Sequence, residues 1–202
     1  MCLWNPVLQG SVLRPNLFLT YISDLPAGIK SKVWLFADDT MCSKTIKKAE
    51  DQRTLQEDLD SLTTWEKQWF MDFYPQKCST LSATCKQKKI IPVYEPHGHI
   101  LENISTTEYL GVTIQDDLRW GSHISSTASK ANKTLGFLQH NLKIGNKKTK
   151  ETVYKALVHP LLEYAATVWD PYTTSKIQAI EKVQRIAACK MGLQLTPPDI
   201  MH

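Results

Sequence analysis

Two adjacent carboxylates, Asp38 and Asp39, follow the apolar run Val33-Trp34-Leu35-Phe36-Ala37 and precede Thr40-Met41-Cys42. The simplest reading is two strands with an acidic pair at the turn between them. Such a pair offers oxygen donors to magnesium, which keeps water and phosphate oxygens in the rest of its shell. Two such ions about 4 Å apart can activate a hydroxyl and stabilise a leaving oxygen in phosphoryl transfer. That reaction asks mainly for positioning and charge neutralisation, so few side chains suffice. Asp is also an ordinary turn residue, and Asp-Asp alone is weak evidence. His97-x-His99 has the spacing of a metal pair on a strand face, but Gly98 favours a turn.

The elements that must position these groups are read from periodicity. Residues 11–25 repeat apolar side chains at helical spacing, with Pro15 tolerated near the first turn. Residues 48–73 form the clearest helix: Leu55, Leu59, Leu62, Trp65, Trp69 and Phe73 share one face, and Glu57, Asp58, Asp60 and Glu66 lie off it. Pro75 stops that helix. Residues 78–84, 90–94 and 106–114 read as strands, with a turn at 97–99. From residue 121 the pattern is helical, with Ser122 a plausible N-cap and Gly145-Asn146 a stop. A second helix covers 149–169, kinked or broken at Pro160, with Val153, Leu157, Leu161, Tyr164 and Val168 inward. A third covers about 174–191, with Ile177, Ile180, Val183, Ala187 and Met191 on one side.

The 202 residues are enough for a buried core without disulfide or zinc. Apolar residues are 42% and charged residues 22%, which excludes collagen, a mostly disordered chain and a membrane bundle. No unbroken apolar run long enough for a transmembrane helix exists, and the apolar start is interrupted by Pro6, Arg14 and Pro15, a poor signal peptide. Five scattered cysteines without a CxxC fit a reducing intracellular compartment, nuclear or cytoplasmic. Charge is divided along the chain. Residues 1–118 hold 12 Lys+Arg and 15 Asp+Glu, and residues 119–190 hold 12 and 4. An acidic front and a basic back suggest two parts, 1–118 and 119–202.

The acidic pair does not stand alone. Gln9-Gly10-Ser11-Val12-Leu13, Tyr21-Ile22, Asp24-Leu25-Pro26, Phe36-Ala37-Asp38-Asp39-Thr40, Leu55-Gln56 with Asp58-Leu59, and Trp65 with Trp69 occur in order. Lys77-Cys78, Tyr109-Leu110-Gly111-Val112, Glu163-Tyr164-Ala165, Val168-Trp169-Asp170-Pro171 and Val183-Gln184-Arg185 follow. Over roughly residues 9–190 this string resembles the reverse transcriptases of non-LTR retrotransposons, the jockey-like long interspersed elements. The resemblance implies an α+β fold: a partial polymerase palm of antiparallel strands and packing helices, then an all-α thumb. It implies RNA-templated DNA synthesis, with an RNA template, a DNA primer and deoxynucleoside triphosphates as partners, no membrane, and two Mg2+ ions as cofactor.

Residue by residue, the resemblance makes Asp38 and Asp39 the metal-holding catalytic pair. Lys77 becomes a cation for the pyrophosphate leaving group. Phe36 and Ala37, with Gln9, Gly10 and Ser11, flank nucleotide and template, and Tyr109, Leu110 and Gly111 form the primer grip. The basic helices after 121 would touch the duplex backbone. Departures are also visible. This site takes a third carboxylate from an upstream strand, and none of residues 1–8 is Asp or Glu. Leu8, Arg14 and Tyr74 stand where the family usually has Pro, Gly and Asn. The expectation is therefore a chain inactive by itself. The alternative is a nucleic-acid-binding or inert remnant of a retroelement.

Overall fold

The structure is a computed structural model that describes residues 13–71, 73–85, 91–142 and 146–192. It is mixed helix and strand, and it divides into two compact units. The first comprises residues 1–82 and 86–105, the second residues 83–85 and 106–202.

In the first unit, α1 (Arg14–Ile22) begins with Pro15 in its first turn, where a missing N–H costs nothing. A loop leads to β1 (Lys32–Phe36), which pairs antiparallel with β2 (Asp39–Ser43). Alternation along β1 sends Val33 and Leu35 into the core and leaves Trp34 and Phe36 exposed. The long helix α2 (Ala49–Trp69) packs Leu59, Leu62, Trp65 and Trp69 against Ile22, Leu25, Met71 and Phe73. It starts in a capping box closed by the Asp51 carboxylate on the Lys48 N–H. It ends earlier than Pro75 requires, because Phe70 takes a left-handed φ of 53° and caps it. Two of the acidic residues expected off the apolar face, Asp58 and Glu66, are buried. Each is repaid by hydrogen bonds: Asp58 accepts from the Lys30 and Ser31 N–H groups, and Glu66 accepts from the Phe73 N–H and pairs with His97.

The short strands β3 (Ser79–Leu81) and β4 (Glu102–Ile104) pair parallel, against the expectation of antiparallel strands throughout. Residues 91–94 form no strand, and residue 90 lies outside the described residues. The turn expected at 97–99 is a 3-10 turn over Pro96–Gly98.

The second unit opens with β5 (Thr106–Tyr109) and β6 (Val112–Gln115), an antiparallel hairpin rather than the single strand expected over 106–114. Leu110 and Gly111 both take positive φ and turn the chain back. From residue 119 every described element is helical, as expected. α3 (Gly121–Asn141) and α7 (Thr174–Met191) are the long ones. The region between them is broken into α4 (Lys147–Leu157), α5 (His159–Glu163) and α6 (Ala166–Trp169). Asn146 caps α4 by accepting from the Thr149 N–H, while α3 starts at Gly121 with no side-chain cap from Ser122 or any other residue. The core joins Val112, Ile124, Leu135, Tyr154, Val158, Leu162, Trp169, Val183 and Ala187. The hairpin's Val112 belongs to this core, and the hairpin lies in the same compact unit as the helices.

One expected face is displaced. Leu157, Leu161, Tyr164 and Val168 are exposed, and Tyr154, Val158, Leu162 and Trp169 are buried instead. The displacement already holds within α4, where Tyr154 is buried and Leu157 exposed, and the chain then breaks at Val158 and at Tyr164–Ala165, where Ala165 has a φ of 55°.

Candidate active site

Register places the acidic pair. Phe36 pairs with Asp39 across the hairpin, leaving Ala37 and Asp38 as a two-residue turn. Asp38 is exposed at the tip, and Asp39, the first residue of β2, is half-buried. The turn needs positive φ at its first position, and Ala37 supplies it at 50° without being glycine. A side-chain-bearing residue there stores roughly 1–2 kcal/mol of backbone strain. Phe36 lies next to the carboxylates with its ring 59% exposed, open to a flat apolar partner.

The base of the hairpin is anchored on α2. Asp58 accepts from the Lys30 N–H at 3.0 Å and the Ser31 N–H at 2.8 Å, and the Ser31 hydroxyl also donates to it. Ser31 immediately precedes β1, so the buried carboxylate fixes where the strand begins. Opposite it, burial pushes the Cys42 thiol up to about 11, with the charge of Asp58 adding to the rise. That thiol is inert at neutral pH. The helical period places Asp58 off the apolar face of α2. Nothing local marks it otherwise, because its partners lie 27 and 28 residues away.

Lys77 ends a 3-10 turn over Pro75–Lys77, exposed, with its ammonium 5.4 Å from the centre of the Tyr74 ring. The turn at Tyr109–Leu110–Gly111 belongs to the second unit, whereas Asp38, Asp39, Phe36, Ala37 and Lys77 belong to the first. Gln9, Gly10 and Ser11 lie outside the described residues.

The implied metal fits the donors in kind, since magnesium takes carboxylate oxygens. Among the described residues no group of three or more His, Cys, Asp or Glu side chains gathers around an ion position. Asp38 and Asp39 could supply two carboxylates of a set that substrate phosphates, water or a further carboxylate would complete.

In the second unit, α3 and α7 border a shallow, open surface lined by Ser125, Ala128, Ser129, Asn132, Lys133, Ala179 and Lys182. Lys133 and Lys182 on this surface offer ammonium groups that suit phosphate oxygens.

Residues 2–114 match the family described as Reverse transcriptase (RNA-dependent DNA polymerase). The chain belongs to this family. Among similar proteins, the probable RNA-directed DNA polymerase from transposon BS of Drosophila melanogaster is 30% identical over 196 residues, 90% of this chain and 21% of that protein. The RNA-directed DNA polymerase from mobile element jockey is 26% identical in Drosophila melanogaster and 27% in Drosophila funebris, each over 88% of this chain and 21% of that protein. The chain thus spans about a fifth of the length of these relatives. No solved structure matches it. Among the described residues no helix is long and apolar enough to cross a membrane.

Proposed function

We propose that this chain carries the catalytic hairpin and the duplex-holding helices of an enzyme that copies RNA into DNA by nucleotidyl transfer. The observation that carries this reading is the Asp38-Asp39 turn, exposed at a hairpin tip within the family-matched residues and anchored from below by Asp58. In this reading Asp38 and Asp39 hold magnesium. Bound there, it would neutralise phosphate charge and activate a primer 3′-hydroxyl.

The remaining steps fall to the chain's own residues. Phe36 and Ala37 pack beside the incoming deoxynucleoside triphosphate, with Gln9, Gly10 and Ser11 beside template and nucleotide. Lys77 neutralises the departing pyrophosphate. Tyr109, Leu110 and Gly111 hold the primer end. Residues 1–118 act as palm and residues 119–202 as thumb, and the Lys133–Lys182 surface takes the duplex backbone without reading sequence. With Asp38 and Asp39 as the two carboxylates this reading assigns to the metals, these 202 residues by themselves are expected not to extend a primer.

Primer extension on an RNA template, combined with duplex titration at several salt concentrations, tests this. The expected result is no extension, with duplex binding that weakens as salt rises and a salt slope that falls by about one per Lys removed at 133 or 182. Extension abolished by Asp38→Ala would overturn the inactivity and uphold the site. Binding indifferent to salt would overturn the duplex-holding role.

A further inference from the structure

The β5–β6 turn is held in an unfavourable shape by an exposed side chain from another element. Leu110 has a φ of 48° and Gly111 a φ of 77°. A leucine in the left-handed region is sterically disfavoured and needs something to hold it. The Tyr164 hydroxyl supplies this by donating to the Leu110 carbonyl at 2.8 Å, across 54 residues of sequence. Its ring also occupies the space over Gly111. A Cβ built there would meet Tyr164 Cε1 at 3.3 Å, the tightest such contact at any described glycine.

Tyr164 is not there to fill the core, because it is 56% exposed. It sits where α5 ends, with an extended ψ of 121°, and that break turns the ring toward the hairpin. Its backbone is pinned in turn. Trp169, fully buried, donates its indole N–H to the Tyr164 carbonyl at 2.7 Å. The Trp169 ring meets His123 edge-on at 5.2 Å, and His123 Nδ1 accepts from the Thr113 N–H of β6 at 3.2 Å. The hairpin is therefore gripped twice, at its turn by Tyr164 and along β6 by His123, and Trp169 joins the two holds.

We infer that Tyr164 is a positioning residue that locks the Leu110–Gly111 turn in the shape it offers to a primer 3′ end. This rests on the reading of Tyr109–Gly111 as the primer grip. The lock also explains the glycine at 111. A methyl group there would meet both the ring and a backbone conformation that side chains disfavour.

The test uses the full 202-residue chain with two RNA–DNA probes, one with a recessed primer 3′ end and one blunt. Tyr164→Phe removes the donor and keeps the ring. It is expected to leave the blunt-duplex affinity unchanged and to lower the melting temperature by only about 2–4 °C. It should lower the preference for the recessed end about fivefold and speed amide exchange at Gly111 and Val112 by a similar factor, as one net hydrogen bond predicts. Gly111→Ala should also lose the preference, and adding Tyr164→Ala should not restore it, because the hydroxyl that holds the turn is then gone as well. Unchanged exchange and unchanged preference in Tyr164→Phe would overturn the lock. Faster exchange in a chain whose wild type never preferred the recessed end would place the failure in the primer-grip reading, and the positioning role would fall with it.

Discussion

Asp58 shows how much a single buried carboxylate can fix. It accepts two backbone N–H groups and one hydroxyl at the start of β1, so the hairpin bearing Asp38 and Asp39 is tied to the longest helix of its unit. Asp58→Asn turns an acceptor-only group into one that presents donors to donors. A loss of about 2–3 kcal/mol is expected, read from the urea midpoint. His123 carries a pH signature in the other unit. Burial pulls its protonation below the ordinary 6.5, Lys130 adds to the fall and Glu108 opposes it. The neutral ring is also required by geometry, because Nδ1 accepts from Thr113. A base whose folded value is lowered costs nothing above its unfolded value. It destabilises the fold increasingly as pH falls from 6.5 toward the lowered value, and by a constant amount below that. The wild type is therefore expected to lose its melting-temperature advantage over His123→Asn on acidification below pH 6.5. An advantage independent of pH would contradict the assignment.

At the scale of elements, the segment between α3 and α7 buries other side chains than its sequence period picks. Leu162 is fully buried and Leu161 is 37% exposed, although the unbroken period picks Leu161. Leu162→Ala is expected to cost about 2–5 kcal/mol and Leu161→Ala under about 1 kcal/mol, by chemical denaturation. The same contrast explains what could be read in advance. α7 was legible because Ile180, Val183, Ala187 and Met191 follow one uninterrupted period, and no partner is needed to see their face. α5 and α6 were not, because the bend at Tyr164–Ala165 carries neither Gly nor Pro and is set by Trp169 and Leu110, five and 54 residues from Tyr164. The β5–β6 hairpin had one visible sign, Gly111, inside a run that otherwise reads as strand. The acidic turn was legible from local order alone, an apolar run, two aspartates and a second run. The groups that hold it, Ser31 and Asp58, were not, since they meet only after folding.

For the molecule as a whole, the charge division along the sequence acquires a physical counterpart. The first unit presents an acidic hairpin tip suited to cations. The second presents ammonium groups of α3 and α7 suited to phosphates. The function proposed above would account for both features together, because a polymerase holds metal-bound phosphates at one place and a duplex backbone at another. Localised iron cleavage tests the first of these most directly. Fe2+ replaces Mg2+ in a complex of the full chain with an RNA–DNA primer–template and a deoxynucleoside triphosphate, and ascorbate then drives radical cutting beside the ion. The account predicts backbone scission around the Phe36–Thr40 turn, lost in Asp38→Asn and in Asp39→Asn. Scission elsewhere, or scission at the turn that persists in both variants, would contradict it.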